Sequence, residues 1–143
     1  MPVRTVELTS IEAKRFARLG ERHGQLRIDH NSTVTLITAL NDREANIEFR
    51  YTASYGAMGL IKVEGTIRYE GNASAIATQW AQTNHMPEEV ASEIHTTVMR
   101  VCVPEAVGLS RDLQLPPPIP LPMVQFQKQD PASARAGAGP EIA

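Results

Sequence analysis

Apolar and polar residues alternate with a period of two through the middle of the chain. Ile47, Phe49, Tyr51, Ala53 and Tyr55 alternate with Glu48, Arg50, Thr52 and Ser54, and Ile61, Val63, Gly65, Ile67 and Tyr69 alternate with Lys62, Glu64, Thr66 and Arg68. This pattern gives two strands, each with one apolar and one polar face. Upstream, Leu26, Ile28, Val34, Leu36 and Leu40 all fall on even positions, interrupted by His30 and Ser32, which predicts one long strand with an irregular middle at residues 29–32. The connections at residues 41–45 and 56–59 are polar or glycine-bearing and short enough that neighbouring strands pair antiparallel. The product is a meander whose odd-numbered face, in its last two strands, requires a cover. Residues 3–20 read in two ways. Thr9 and Glu12 have capping-box spacing, and Ile11, Phe16 and Leu19 before Gly20 suit a short helix. As a strand the same segment puts Val6 and Leu8 on one face and Ile11 and Ala13 on the other, so it needs a bulge or register change near Thr9 and Ser10.

The period then changes to that of helices. Asn72 can cap a short helix through Ala73, Ile76 and Trp80. Pro87 suits the first position of a longer one, with Glu88 and Glu89 in its first turn, where the helix dipole favours acids. Val90, Ile94, Val98 and Val101 then form an apolar stripe, with Ala91 and Cys102 beside it, for the monomer core or for contact between subunits. Pro104 is expected to kink or break this helix and Gly108 to loosen its end. Residues 113–122, LQLPPPIPLP, cannot continue it, because five prolines in seven positions fix φ near −65° and remove five backbone donors. Leu115, Ile119 and Leu121 lie beside the prolines, and a solvated spacer has no need of them, so this stretch reads as a strap on an apolar surface. From residue 128 the composition turns to Ala, Gly, Ser and Pro. The expected organisation is one domain over residues 1–124 and a disordered tail over residues 125–143.

This order of segments resembles the SecB export-chaperone family and its archaeal and stress-associated relatives. The resemblance covers roughly residues 3–124 and rests on the polar stretch IDHNS, the alternating meander, the proline-initiated helix and the block SRDLQLPPPIPLP. It implies an α+β fold in which a four-stranded antiparallel sheet is followed by a short helix, a long helix and a proline-rich extended strap, and it favours a strand over residues 5–19. It further implies a cytoplasmic homotetramer, a dimer of dimers, that holds unfolded client polypeptides in apolar grooves without ATP or a cofactor. The expected client-binding residues are Phe16, Leu19, Leu113, Leu115, Ile119, Leu121 and Met123, and the expected subunit interface is Val90, Ile94, Val98 and Val101. In SecB a second helix after the linker forms a lid, whereas here residues 123–129 are short and end at Pro131. The tail carries Lys128, Asp130, Arg135 and Glu141 in near balance, unlike the acidic surface that SecB presents to a translocation motor, which puts such delivery in doubt.

Composition narrows the remaining classes. In 143 residues the formal net charge is −2, which gives no electrostatic footprint for nucleic acid or an anionic membrane surface. The single cysteine excludes an internal disulfide, and no apolar run reaches the ~20 residues of a membrane span. His23, His30, His85, His95 and Cys102 include no pair at metal-ligand spacing, and Ser110, Arg111 and Asp112 lack a nucleophile-elbow setting, so neither a metal nor catalysis is expected. Cys102 lies on the apolar stripe as a buried thiol, and Trp80 reads as a plug at one end of the sheet. Two other readings compete with a holdase. One is an interaction module dedicated to a single partner such as an antitoxin. The other is a small hot-dog-type enzyme, which requires Asp29, His30 and Glu64 to meet around a deep pocket.

Overall fold

The structure, a computed structural model, describes residues 2–18, 20 and 27–119. Four strands, β1 (Val3–Arg15), β2 (Asp29–Ala39), β3 (Glu44–Ser54) and β4 (Gly59–Glu70), form one antiparallel sheet in the order β1-β4-β3-β2. Two helices follow, α1 (Ala73–Thr83) and α2 (Glu88–Asp112), and both pack on the same face of the sheet. The strict alternation of β3 and β4 has the predicted result. Ala45, Ile47, Phe49, Tyr51 and Ala53 of β3, and Ile61, Val63, Ile67 and Tyr69 of β4, are buried on the helix side. Their even-numbered neighbours form an open polar face, where Lys62 pairs with Glu12 at 3.3 Å and Arg50 with Glu64 at 3.2 Å.

The N-terminal segment is a strand, not a helix, and it ends at Arg15 rather than reaching Leu19. Its register against β4 shifts between Leu8 and Ser10. The extra residue, Thr9, lets Val6, Leu8, Ile11 and Ala13 all share the helix-side face, opposite Ile67, Gly65, Val63 and Ile61. In β2 a register shift between Val34 and Leu36 corrects the reading of that strand. Past this bulge it is Ile37 that faces the core, opposite Ile47, while Leu36 is turned to the outer face, opposite Glu48. A single inserted residue flips every side chain beyond it, so the even-position rule fails from Thr35 onward.

Pro104 does not break α2, which runs unbroken for 25 residues. Losing one backbone hydrogen bond and crowding the preceding turn costs roughly 3 kcal/mol or more. Here the proline and Arg100, whose carbonyl it leaves without a donor, are both on the exposed side, so water can satisfy that group. On the inner side Ile94, Val98, Cys102 and Ala106 are fully buried, and each large apolar side chain so placed contributes about 1.5–3 kcal/mol. Gly108 likewise lies within the helix rather than ending it. Pro87 stands just before the first helical residue, and its carbonyl accepts the Ala91 N–H at 2.9 Å. Asn72 occupies the cap position of α1, but its side chain makes no capping bond. The Ala73 N–H donates to the carbonyls of Asp42 and Gly71 instead.

Candidate functional site

The strap begins with a chain reversal at the end of α2. Gln114 adopts the left-handed conformation, φ 55°, its N–H donates to the Arg111 carbonyl at 3.2 Å, and the next N–H, of Leu115, reaches back to Ser110 at 2.8 Å. Glycine usually fills such a position, and a residue with a Cβ pays about 1 kcal/mol or more for it. The reversal drives Leu115 into the core at 5% exposure, beside Gly59, which has no side chain to obstruct it. Three further contacts hold the strap. The buried Tyr55 hydroxyl donates to the Pro116 carbonyl at 2.7 Å, and Arg15 Nη1 donates to the carbonyls of Leu113 at 3.1 Å and Gln114 at 2.8 Å. Pro118 is fully buried, after which Ile119 turns out to solvent at 38% exposure.

β1 lies at the edge of the sheet, and α2 covers it only in part. Ile11, although on the helix-side face, is therefore 49% exposed. Phe16, immediately after β1, is 57% exposed with its N–H held by the Met58 carbonyl at 2.9 Å. Between the start of β1 and the first half of α2 lies a cleft of about 350 Å³, lined by Val3, Glu89, Glu93, Thr96 and Arg100 among others. Large apolar side chains thus stand in water where the sheet edge and the strap converge.

The expected site residues divide. Phe16 and Ile119 are exposed, Leu113 is half-buried, and Leu115 is inside the core, so Leu115 anchors the strap and has no face free for a client. Leu19, Leu121 and Met123, like the tail at residues 125–143, lie outside the described residues. In the expected interface, Ile94 and Val98 are fully buried in the chain's own core, which corrects their assignment to contact between subunits. Val90 and Val101 are half-buried on the flank of α2. Sequence reasoning did not single out Ile11 or Leu36 as exposed: Ile11 is open because its strand is at the sheet edge, and the bulge that turns Leu36 outward leaves no mark in the alternation.

Asp29, His30 and Glu64 do not meet. Asp29 pairs with Arg27 at 2.9 Å, and Glu64 pairs with Arg50 on the outer face. His30 Nδ1 lies 2.6 Å from the Tyr51 hydroxyl on the helix side, and His95 Nδ1 is 2.7 Å from the Ser32 hydroxyl. Burial raises Tyr51 to a pKa of about 12 and Cys102 to about 11, so both stay protonated at neutral pH and Cys102 is a poor nucleophile. Among the described residues, no three His, Cys, Asp or Glu side chains come close enough together to hold a metal ion. None of the described helices is long and apolar enough to cross a membrane.

A four-stranded antiparallel sheet with order β1-β4-β3-β2, covered on one face by a short and a long helix, is an α+β fold of the SecB-like kind. The comparison that carries this is with the Mycobacterium tuberculosis SecB-like chaperone Rv1957, solved in complex with a ChAD peptide from the Rv1956 HigA1 antitoxin. The two chains superpose with a TM-score of 0.51 over 86% of each, at 12% sequence identity. No protein-family model matches the sequence, and no curated protein does.

Proposed function

We propose that this protein is a non-catalytic chaperone that holds non-native polypeptides on the apolar seam formed by β1 and the strap. The observation that carries the reading is the exposure of Ile11, Phe16 and Ile119, at 49%, 57% and 38%, on a scaffold held by backbone hydrogen bonds. Burying what remains exposed of these three side chains is worth on the order of 2–5 kcal/mol. The matching apolar surface of the client roughly doubles this to about 4–10 kcal/mol, and association costs roughly 4–15 kcal/mol in lost freedom, so the seam gives at most weak and unselective binding. Weak, unselective binding is what a holdase needs and what a dedicated partner interface does not. The SecB-like neighbour, described as a chaperone bound to an antitoxin peptide, supports polypeptide binding in general and makes a single dedicated client the second reading.

The test is suppression of aggregation of a reduced or denatured client by the full chain, beside a variant carrying Ile11→Ser, Phe16→Ser and Ile119→Ser. The expected result is protection by the natural protein and a loss of about tenfold in potency for the variant, with melting temperatures within ~3 °C of each other. No protection at molar excess over the client refutes the holdase. Tight binding of one client with indifference to generic unfolded chains supports the second reading. We place the protein in the cytoplasm as a dimer of dimers, with Val90 and Val101 at a contact between subunits. Light scattering of the full chain checks the assembly, and a strict monomer removes it.

A further inference from the structure

We propose that Arg15 is a carboxylate-binding residue within the seam, one that favours clients carrying an aspartate or glutamate beside their apolar side chains. The inference rests on the polypeptide-binding reading and adds a preference that the apolar exposure of Ile11, Phe16 and Ile119 does not supply. Arg15 ends β1 on the helix-side face, in line with Ile11 and Ala13. It is half-buried, and its guanidinium bridges the strand and the strap. Nε donates to the Ala17 carbonyl at 2.8 Å, and Nη1 donates to the carbonyls of Leu113 at 3.1 Å and Gln114 at 2.8 Å. A guanidinium has five N–H groups. These bonds use three of them, and among the described residues nothing accepts from the two on Nη2.

The charge of Arg15 also stands apart from the rest of the sheet. Arg4, Lys14, Arg50, Lys62 and Arg68, the other arginines and lysines of the four strands, each have a carboxylate oxygen within 4.0 Å. Arg15 has none among the described residues. Backbone carbonyls satisfy its donors, and the C-terminal end of α2 favours a cation, but neither neutralises a full charge. The strap brings no counter-ion, because residues 113–127 contain no charged side chain. Arg18 and Arg111 add the same sign at this end of the sheet, against Asp112. Capping α2 accounts for the Nη1 bonds, yet a neutral amide donor could make such bonds without bringing a charge to the edge of an apolar seam. A carboxylate fits what is left over. Charged hydrogen bonds are stronger than neutral ones, and Nη2 is held in direction by the bonds that Nε and Nη1 already make, so little side-chain freedom remains to be lost. Regular pairing from Ile11 to Arg15 sets the two residues about 13 Å apart along β1. An extended client with an apolar side chain on Ile11 therefore reaches Arg15 four residues further along its own chain.

The experiment measures binding of two labelled peptides to the full chain by fluorescence anisotropy. Both are short, alternate leucine with serine and have blocked ends; one carries a glutamate at each end and the other a glutamine. The expected result is about fivefold tighter binding of the glutamate peptide at low salt, a difference that shrinks at high salt. Arg15→Gln abolishes the difference, and Arg15→Lys keeps only part of it. Both peptides meet the same variant, so a loosened strap lowers the two affinities together and leaves their ratio unchanged. A second measurement needs no variant: the guanidinium N–H resonances of Arg15 shift with the glutamate peptide and not with the glutamine peptide. Equal binding of the two peptides overturns the proposal and leaves the seam as a polypeptide site. A preference that survives Arg15→Gln belongs to another cation and refutes it as well. Glu21, which lies outside the described residues, is the rival partner within the chain; a preference seen only after Glu21→Gln makes that residue the resident ligand of Arg15, and the proposal falls. Binding of neither peptide removes the polypeptide-binding reading together with it.

Discussion

Leu115→Ala tests whether the proline strap is part of the core. The side chain is 5% exposed and sits against the bare backbone of Gly59, with its Cδ atoms 3.2–3.3 Å from where a Cβ on that glycine would be. Truncation removes three carbons, about 2.5 kcal/mol at ~0.8 kcal/mol each. Some cavity cost is added, because a glycine on the facing wall offers nothing that can move in. The hydrogen bonds from Tyr55 and Arg15 to strap carbonyls survive the change and limit how far the strap can collapse into the gap. The expected loss is about 3–4 kcal/mol in urea unfolding, or a fall in melting temperature of roughly 10 °C. Ile119→Ala, four residues further along and mostly in water, should cost under ~1 kcal/mol. A Leu115→Ala loss below ~1 kcal/mol, or equal losses at the two positions, would show that the strap lies loosely on the sheet and would refute the anchoring argument.

Two further outcomes follow from the core. Gly65→Ala would set a Cβ against the Glu7 carbonyl of β1 and within 2.7 Å of Phe49 Cζ. Because backbone on one side cannot give way, the expected cost is about 2–3 kcal/mol, and Phe49→Leu should recover part of it in a double-mutant cycle measured by urea unfolding. Burial raises Tyr51 from 10.0 to about 12 and Cys102 from 9.0 to about 11. The unfolded chain therefore releases these protons first. Their contribution is complete below pH 9 and is lost as pH rises, Cys102 over about pH 9–11 and Tyr51 over about pH 10–12, for a total on the order of 2–4 kcal/mol. Urea titrations at stepped alkaline pH check this, and Tyr51→Phe should flatten the upper part of the profile; an unchanged slope there contradicts the assignment.

The central strands were legible because β3 and β4 are regular along their whole length, and an unbroken alternation maps directly onto buried and open faces. The edges were not. In β1 the conflict between Leu8 and Ile11 already demanded a bulge, and the register shift occurs there, between Leu8 and Ser10. In β2 no such conflict existed: an apolar residue stands on either side of Thr35, so the pattern fits with or without the insertion, and only pairing with β3 decides that Ile37 goes in and Leu36 goes out. Pro104 misled because its cost is local, whereas the burial that outweighs it is set by the sheet. The candidate site was half visible. Phe16 and Ile119 could be chosen as apolar residues in unprotected places, but the position of Leu115 depends on a left-handed Gln114, where no glycine advertises the turn.

The two parts of the strap are coupled. A groove wall that is exposed throughout would be a flexible proline ribbon, and a client binding to it would have to pay for ordering it. A strap buried throughout would offer a client nothing. In this protein Leu115 and Pro118 are sunk into the core and Tyr55 and Arg15 clamp the carbonyls between α2 and the prolines, so Ile119 leaves the surface from a fixed point. Rigid presentation lowers the entropic cost of each weak client contact, which matters most where the total binding energy is small. On the proposed chaperone reading, Leu115→Ala should therefore weaken client protection as well as stability, although its buried side chain has no face for a client, while Ile119→Ser should weaken protection alone. Stability and binding that fall together at the buried residue, and separate at the exposed one, are the signature of an anchor that works by holding its neighbour in place.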